Sequence, residues 1–292
     1  MAHGAGLRTD LGGEERELSC IAWAAPPVYT GGPRAAAEKG FMSTTTNHKK
    51  KESGFVETVR VIFHALLIAL VIRTFLFQPF NIPSGSMKNT LLVGDYLFVS
   101  KYSYGFSRFS IPFAPNLFSG RIWGAQPQRG DVVVFKLPRD DAIDYIKRVI
   151  GLPGDRIQMI DGVLQINGRA VPKVRIEDAI SEEPDGRRAR VKRFRETLPN
   201  GVVYEVLDLV DNGFYDNTPV YTVPAGHYFM MGDNRDNSTD SRVLSQVGYV
   251  PYDNLIGCAE ILFFSIEEGT HAWELWAWPW SVRWGRIFSL VR

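Results

Sequence analysis

One apolar run stands out from the rest of the chain by its length. Most positions from 55 to 77 are apolar, and residues 65–72 form an uninterrupted centre. At about 1.5 Å per residue, a helix of this length crosses a hydrocarbon layer of roughly 30 Å. Arg60 and Arg73 lie near its two ends, where their guanidinium groups can reach the lipid–water interface. The pattern predicts a transmembrane helix over residues 55–77; the alternative is a helix buried in a soluble core.

The residues around this run predict its orientation. Residues 1–54 lack a sustained helical or strand period and have a composition typical of disorder. Three lysines at 49–51 precede the run, and positive charge marks the cytoplasmic side of a membrane. No pair of small residues follows the run as a processing site would require. We therefore expect a disordered cytoplasmic extension, one retained anchor, and all later residues on the extracytoplasmic side.

After the anchor, the period changes to that of short strands. β-branched and aromatic runs are bounded by Gly, Pro and Asp, a pattern typical of strands. Asp161-Gly162 and Asn167-Gly168 are dipeptides that favour hairpin turns. The predicted strands cover residues 95–99, 131–135, 145–150, 156–160, 163–166 and 261–264. We expect a mainly β, membrane-anchored domain with a curled antiparallel or barrel-like sheet.

Changes in composition mark the boundaries of the predicted domains. Dense mixed charge over residues 170–213 indicates a peripheral, solvent-exposed element. We expect residues 161–225 to form an inserted, smaller β subdomain, which interrupts a core of residues 78–160 and 226–265. Residues 266–292 form a Trp-rich tail that either covers the core or lies at the bilayer interface, as tryptophan prefers. The aromatic residues of 102–120 either pack beneath the sheet or enter the membrane surface.

Charge and cysteine content exclude several classes of partner. The 292 residues include 33 Lys and Arg against 32 Asp and Glu, and the two signs are interspersed. Nucleic-acid binding requires a concentrated basic surface, so we expect no nucleic-acid partner. Cys20 and Cys258 lie on opposite sides of the anchor, which argues against an intramolecular disulfide.

A short turn beyond the anchor carries candidate chemistry. Ser84 and Ser86 flank Gly85 and follow Pro83, close to the predicted membrane surface. Proline fixes one backbone dihedral, and glycine permits a tight backbone at which N–H groups can converge. Such a turn can present one hydroxyl as a nucleophile beside an oxyanion site. The alternative is a Pro/Ser/Gly connector without chemistry.

A serine nucleophile needs a general base, and the chain offers two kinds. His227 follows a turn into a strand and is the histidine placed to join a triad. A desolvated lysine is the other solution, because burial brings the neutral amine within reach of working pH. Lys147 meets that requirement best, but Lys101 and Lys136 also lie in or beside strands. Sequence position alone does not separate the three lysines.

The block at residues 232–242 is unusually polar and directly follows an apolar strand. It lacks the glycine and distal glutamate of an EF-hand, so we expect no metal site. Its composition favours a self-hydrogen-bonded loop in which carboxylates pair with Arg235 and Arg242 and a hydroxyl points at a neighbouring amine.

Together, these blocks resemble the bacterial type I signal peptidases over roughly residues 78–265. The resemblance rests on four ordered segments, Pro83–Met87 with Thr90-Leu91 and Gly94-Asp95, Arg129–Phe135, Tyr145–Asp155 and Gly232–Arg242. It implies a membrane-bound serine endopeptidase that removes signal peptides after an Ala-X-Ala-like motif through a Ser–Lys dyad. A self-cleaving peptidase of the repressor-processing type and a membrane-tethered binding protein are the alternatives.

The resemblance also implies a role for individual residues. Ser86 would be the nucleophile, Lys147 the general base and Ser84 a side-chain donor to the oxyanion hole. Ser238 would orient the lysine amine, supported by a salt bridge between Asp240 and Arg242. The residues expected to line shallow pockets for the substrate's small side chains are Ile82, Met87, Leu91, Tyr145 and Ile146.

Partners and location follow from the same resemblance. The substrates would be exported preproteins, membrane lipid and the secretion translocon would be further partners, and no cofactor is implied. The chain would cross the bacterial inner membrane once. It departs from the family at Asn89, where many relatives carry proline, and at Thr239, where alanine is frequent. A single anchor replaces the two of some relatives, and no departure removes a dyad group.

Overall fold

The computed structural model describes residues 54–112, 114–115, 118–182 and 188–292. Residues 1–53 of the predicted extension, including Cys20, therefore lie outside the described residues, as does Phe113. Within the described ranges, the chain is mainly antiparallel β with one long apolar helix near its start, as the sequence predicted. The helix is α1, Gly54–Phe75; a single further turn of helix, α2, spans Trp278–Ser281.

Helix α1 is the one described helix long and apolar enough to cross a membrane. Its 22 residues end two positions before the predicted limit because Phe77 begins a strand. Thr74 is its only buried side chain, so the apolar residues face outward on all sides. A helix exposed in this way fits a membrane anchor, whereas the alternative of a core helix would require burial.

Seven antiparallel strands form the largest sheet. In spatial order they are β1 (Phe77–Asn81), β2 (Asp95–Ser100), β15 (Leu255–Ser265), β3 (Val132–Leu137), β4 (Asp140–Gly151), β13 (His227–Met231) and β14 (Val250–Pro251). β1 lies at one edge, where its Pro79 needs no ladder partner on the outer side. The described sheet is open, so the predicted barrel-like closure is not confirmed.

Two four-stranded sheets lie between β4 and β13 in the chain. One has the order β12 (Tyr221–Thr222), β5 (Arg156–Ile160), β6 (Val163–Ile166) and β7 (Arg169–Ala170). The other joins β11 (Val203–Asp208), β10 (Arg188–Thr197) and β8 (Lys173–Arg175), with β9 (Ala179–Glu182) also paired to β10.

Strands β5 and β6 begin and end at the predicted residues, because the sequence of the turn between them fixes the hairpin. Asp161 and Gly162 have φ of 47° and 71°, which is the paired left-handed conformation of a tight hairpin turn. Strands β5 and β6 on either side of that turn agree with the predicted limits. β4 instead begins at Asp140, because its polar first half pairs with the end of β3.

Apolar side chains form three clusters, and one of them joins the inserted region to the main sheet. Leu164 of β6 and Val206 of β11, both in the inserted region, pack in the same cluster as Ile150 of β4 and Phe229 of β13. A second cluster lies beneath β1, β2, β3 and β15 and includes Met87 and Leu91. Since the inserted strands share a core with the main sheet, their separation into a subdomain stays a prediction.

The aromatic segments at residues 102–120 and 266–292 were each predicted either to pack on the core or to lie at the membrane surface, and each has both buried and exposed residues. In the first, Tyr104 and Phe109 are buried, whereas half of the Tyr102 side chain is exposed. In the tail, Arg286 forms an ion pair with the buried Asp95 at 2.6 Å, which fastens the tail to β2. Four of its indoles nevertheless remain exposed, those of Trp273, Trp276, Trp280 and Trp284.

Close packing of β15 on β2 predicts the effect of one substitution. A Cβ added to Gly257 would lie 2.2 Å from the carbonyl oxygen of Ser100, and a backbone atom cannot move aside cheaply. We expect Gly257→Ala to lower the free energy of unfolding by about 1–3 kcal/mol, measured by thermal unfolding in detergent. Gly285→Ala is the control, because no atom lies within 4 Å of its added Cβ. Equal stability of the two variants would show that the close approach of Gly257 to Ser100 does not require glycine.

Candidate active site

A cleft of about 650 Å³ brings together three segments that are far apart in the chain. Residues 80–86 line one wall, and residues 144–147 of β4 line another. Residues 236–239 close one end; they belong to the polar segment of residues 232–242, called the polar loop below. Each segment was singled out in the sequence for a different reason. Their convergence in one cleft makes this the candidate active site.

The polar loop holds the backbone of the serine turn from behind. Ser86 lies in a single 3-10 turn, Gly85–Met87, which directly follows extended residues. The Asn234 N–H donates to the Ser86 carbonyl at 3.1 Å, and the Asn234 side-chain amide donates to the Gly85 carbonyl at 3.0 Å. These two hydrogen bonds fix the direction in which the Ser86 hydroxyl enters the cleft.

Gly85 lies in the tight turn that was predicted, but the turn does not depend on a conformation that only glycine adopts. Its φ is not in the left-handed region, and an added Cβ would meet only the flexible side chain of Lys88, at 3.0–3.4 Å. The backbone conformation therefore does not require glycine.

Lys147 brings an amine against that hydroxyl. Its Nζ donates to Ser86 Oγ at 2.7 Å and to the Ile146 carbonyl at 2.9 Å. The side chain is 3% exposed. Burial lowers the pKa of Lys147 to about 8, and the carboxylates of Asp240 and Asp233 only partly oppose the shift. A substantial fraction of neutral amine is therefore present near neutral pH.

The other candidate bases lie elsewhere. Lys101 Nζ donates to the Ser110 carbonyl, and Lys136 forms an ion pair with Asp144 at 2.9 Å. The His227 ring nitrogen Nδ1 is 2.9 Å from the Ala225 carbonyl. Of the four candidates, only Lys147 contacts Ser86, so tertiary structure separates the lysines that sequence position left equivalent.

Ser84 and Ser238 both lie at the cleft. Ser84 Oγ is 3.3 Å from Ser86 Oγ and is accessible from the cleft. Ser238 is 6% exposed, and its hydroxyl makes no hydrogen bond of normal geometry with a described residue, Lys147 included. The predicted roles of Ser84 as oxyanion donor and of Ser238 in orienting the lysine stay predictions.

Asp240 and Arg242 form the expected salt bridge, with two contacts of 2.9 and 2.8 Å between fully buried groups. The Gly232 N–H donates to the same carboxylate at 3.0 Å. Burial opposes ionisation of Asp240, but the Arg242 guanidinium and the Gly232 N–H hold the pKa of Asp240 below the usual range. The bridge stiffens the loop that closes the cleft.

A second buried ion pair was missed in the sequence. Arg148 Nε and Nη2 donate to Asp233 at 2.9 and 2.7 Å, and both side chains are 1% exposed. Thr90, just after the serine turn, donates its hydroxyl to the same carboxylate at 2.5 Å. The available signal was an arginine followed directly by the apolar end of a strand, Val149-Ile150, since a charge buried there requires a partner.

Arg235 has a different partner from the one expected within its own loop. It forms a bidentate ion pair with Glu196 of β10, and Tyr204 of β11 donates to the same carboxylate at 2.5 Å. The Leu207 N–H also donates to the Asp233 carbonyl at 2.9 Å. The hairpin formed by β10 and β11, called the inserted hairpin below, therefore supports the polar loop directly.

The residues expected to bind substrate divide into two groups. Ile82, Tyr145 and Ile146 line the cleft. Met87 and Leu91 are fully buried in the cluster behind it and do not reach its surface. The role of all five in substrate binding stays a prediction, and only the first three are placed to touch a substrate in the cleft.

The backbone conformation explains why Asn89 stands where many relatives carry proline. Its φ of 89° lies in the left-handed region, which proline cannot adopt. The Asn89 side-chain amide donates to Glu205 of β11 at 2.7 Å. Asparagine therefore suits this backbone, and it adds another contact to the inserted hairpin.

These features define a class of protein. A buried amine with a lowered pKa that touches a serine hydroxyl can activate it as a nucleophile without histidine. Described residues include no cluster of side chains that could hold a metal ion. Such an arrangement could serve a hydrolase in which a lysine activates a serine, and the exposed apolar helix fits a membrane anchor.

Comparison with known proteins specifies the family. The model of the family "Signal peptidase, peptidase S26" matches residues 55–264, and the chain belongs to this family. Signal peptidase I of Rickettsia typhi is 45% identical over 241 residues, which cover 77% of this chain and 89% of the relative. Signal peptidase I of Rickettsia conorii is 43% identical over 263 residues, which cover 84% and 94%. The predicted identity as a signal peptidase and serine endopeptidase is confirmed.

Among solved structures, a signal peptidase I from Enterococcus faecalis V583 is 28% identical and covers 46% of this chain and 97% of that chain. Its TM-score of 0.28 is too low to compare the two folds.

Close contact at Gly232 predicts a loss of peptidase activity on substitution. An added Cβ would lie 2.2 Å from Ser238 Oγ and 2.6 Å from the Ser86 carbonyl oxygen, so Gly232→Ala must push the two serines apart. A displacement near 1 Å costs about 10²-fold in rate. We expect a loss of that size in preprotein cleavage, with no change for the distant Gly285→Ala. Activity within about twofold of the parent would show that the contact does not position the nucleophile.

Proposed function

We propose that this peptidase removes signal peptides from exported preproteins with Ser86 as nucleophile and Lys147 as general base. The observation that supports the proposal best is the 2.7 Å contact between Lys147 Nζ and Ser86 Oγ at the wall of an open cleft. Membership of the signal peptidase family supports the substrate class. Cleavage follows an Ala-X-Ala-like motif in this proposal.

A free strand edge supports binding of an extended substrate. β13 pairs with β4 only from Arg148 to Gly151, so residues 144–147 have a strand partner on one side alone. The cleft opens along this edge. A substrate segment can add there as a further strand, with hydrogen bonds from its backbone and small side chains pointing towards Ile82 and Ile146. From the resemblance to signal peptidases, we expect alanine-sized residues to bind beside Ser86.

Acylation begins with the neutral amine of Lys147. At a pKa near 8, about one amine in ten is neutral at pH 7, against about one in three thousand at the ordinary value. The amine accepts the Ser86 proton while Oγ attacks the scissile carbonyl carbon. The Ser84 hydroxyl and the Ser86 N–H stabilise the oxyanion. Lys147 then gives its proton to the leaving amine, which is the new N-terminus of the mature protein.

Deacylation uses the same groups with water as the nucleophile. The signal peptide is at this point joined to Ser86 Oγ as an ester. Neutral Lys147 accepts a proton from water as the hydroxide adds to the ester carbonyl, and the proton returns to Ser86 Oγ when the ester bond breaks. The signal peptide leaves with a free carboxylate, and each step is balanced without a cofactor or metal.

The position of the site also fits a membrane-held substrate. Only ten residues separate the end of α1 at Phe75 from Ser86, so the nucleophile lies close to the membrane surface when α1 spans it. The lysines at 49–51 support a cytoplasmic N-terminus and an extracytoplasmic catalytic domain in the inner membrane. Membrane lipid and the secretion translocon are the further partners of this arrangement.

Removing either dyad group tests the catalytic assignment. We expect Ser86→Ala and Lys147→Met each to lower preprotein cleavage by at least about 10³-fold, because nucleophile and base act as one unit. Methionine keeps the length of the lysine side chain and removes the amine. Lys173→Met is the matched control, since this lysine pairs with Asp208 away from the cleft. Wild-type processing by both dyad variants would refute the proposal.

The pKa of Lys147 predicts the pH dependence. Protonated Lys147 cannot accept the serine proton, so single-turnover rates should rise about tenfold per pH unit below pH 8 and level off above it. The lowered pKa places this rise more than two pH units below that of an ordinary lysine. Single-turnover rates measured from pH 6 to 10 test whether the rate rises with pH. A maximum below pH 7 would exclude a lysine base.

A further inference from the structure

A second cavity, of about 390 Å³, lies where helix α1 meets the main sheet. Arg73 from the last turn of α1 lines it, together with Gln78 of β1, Lys101 just after β2 and Lys136 of β3. Its volume is within the range of sites for small ligands, about 300–1,000 Å³. None of these four residues takes part in the proposed peptidase mechanism.

Two cations at this cavity have no negative partner. Lys101 is 2% exposed, yet its ammonium donates to a single acceptor, the Ser110 carbonyl at 2.7 Å. An ammonium has three N–H groups to satisfy. The Arg73 guanidinium makes no hydrogen bond or ion pair with any residue that the structure describes. Burial lowers the pKa of Lys101 to about 8, and the nearby charge of Arg73 adds to the shift.

The carboxylates at the cavity are already paired with other cations. Asp144 contacts Lys136 at 2.9 Å, and Asp141 contacts Arg108 at 3.2 Å. Asp144 also acts on Lys101, but it affects the pKa of that lysine less than burial and Arg73 do. The charges of Arg73 and Lys101 therefore remain in excess, and an anion between them would remove the repulsion.

The cavity lies at the level of the helix end. Arg73 belongs to the last turn of α1, and the Lys101 N–H donates to the Leu76 carbonyl at 3.0 Å. The rings of Phe75 and Phe106 meet edge to face at 5.5 Å, and Trp123 is largely exposed beside them. Aromatic and basic residues concentrate in this way at the headgroup level of bilayers.

We propose that this cavity binds the phosphate group of an anionic phospholipid. Arg73 and Lys101 donate to the phosphate oxygens, Gln78 supplies a further polar contact, and the acyl chains run along the exposed apolar surface of α1. Anchoring through α1 is the only part of the proposed function on which this inference rests. Phosphate is the recognised chemistry, and its position at the helix end favours a lipid over the free ion.

Lipid binding to the full chain in nonionic detergent tests the site. Native mass spectrometry would count the phosphatidylglycerol molecules retained during titration, with phosphatidylcholine as the zwitterionic comparison and inorganic phosphate as competitor. We expect Arg73→Gln and Lys101→Met each to weaken phosphatidylglycerol binding about fivefold. Arg73→Lys should keep most of the binding. Arg169→Gln, which removes an exposed charge on β7, is the control and should change nothing.

Each outcome decides the inference. Selective retention of phosphatidylglycerol that both variants weaken supports it, and displacement by inorganic phosphate would support the phosphate site while assigning it to the free ion. Equal retention of both lipids, or equal binding by all variants, overturns it. If Lys101→Met unfolds, Arg73→Gln alone tests lipid binding, because the Arg73 side chain makes no hydrogen bond or ion pair with a described residue. Cleavage of a short peptide in detergent, unchanged in Arg73→Gln, separates this test from that of the peptidase.

Discussion

The buried ion pair between Arg148 and Asp233 is the interaction on which the geometry of the site depends. Arg148 directly follows the lysine on β4, and Asp233 directly precedes Asn234, which holds the serine turn through two hydrogen bonds. Thr90 joins the far end of that turn to the same carboxylate. The pair thereby links the strand that carries the base, the polar loop and the turn that carries the nucleophile. Loss of one partner would leave an uncompensated buried charge, at a cost of about 3–5 kcal/mol.

The same pairing explains how a lysine can be buried between carboxylates and still have a low pKa. Asp233 and Asp240 both raise the pKa of Lys147, and two free carboxylates so close would keep the amine protonated. Each carboxylate is instead neutralised by its own arginine, Arg148 or Arg242. Desolvation then becomes the larger effect. The arginines are therefore electrostatic shields for the base as well as structural links.

The inserted hairpin contributes to this arrangement from outside the cleft. Glu196 on β10 pairs with Arg235, and the backbone of Leu207 on β11 bonds on both sides of Asn234. These contacts fix the polar loop from the side opposite to β4. The inserted strands also share apolar packing with Phe229 and Ile150. They belong to the support of the site, although their charged sequence indicated only a peripheral, solvent-exposed element.

Much of the fold and part of the site could be predicted from the sequence, because those features depend on neighbouring residues. The length of α1, the tight turn at Asp161-Gly162 and the period of β5 and β6 are local properties of the chain. The family resemblance pointed to Lys147, but the position of the lysines in the chain did not separate it from Lys101. Both are buried with a pKa near 8, and the tertiary structure shows that only Lys147 contacts a serine hydroxyl, 61 positions away. Tertiary structure likewise decided that Arg235 pairs with Glu196 and that Met87 lies behind the cleft. Such contacts depend on how distant segments approach and exclude water, which no local pattern encodes.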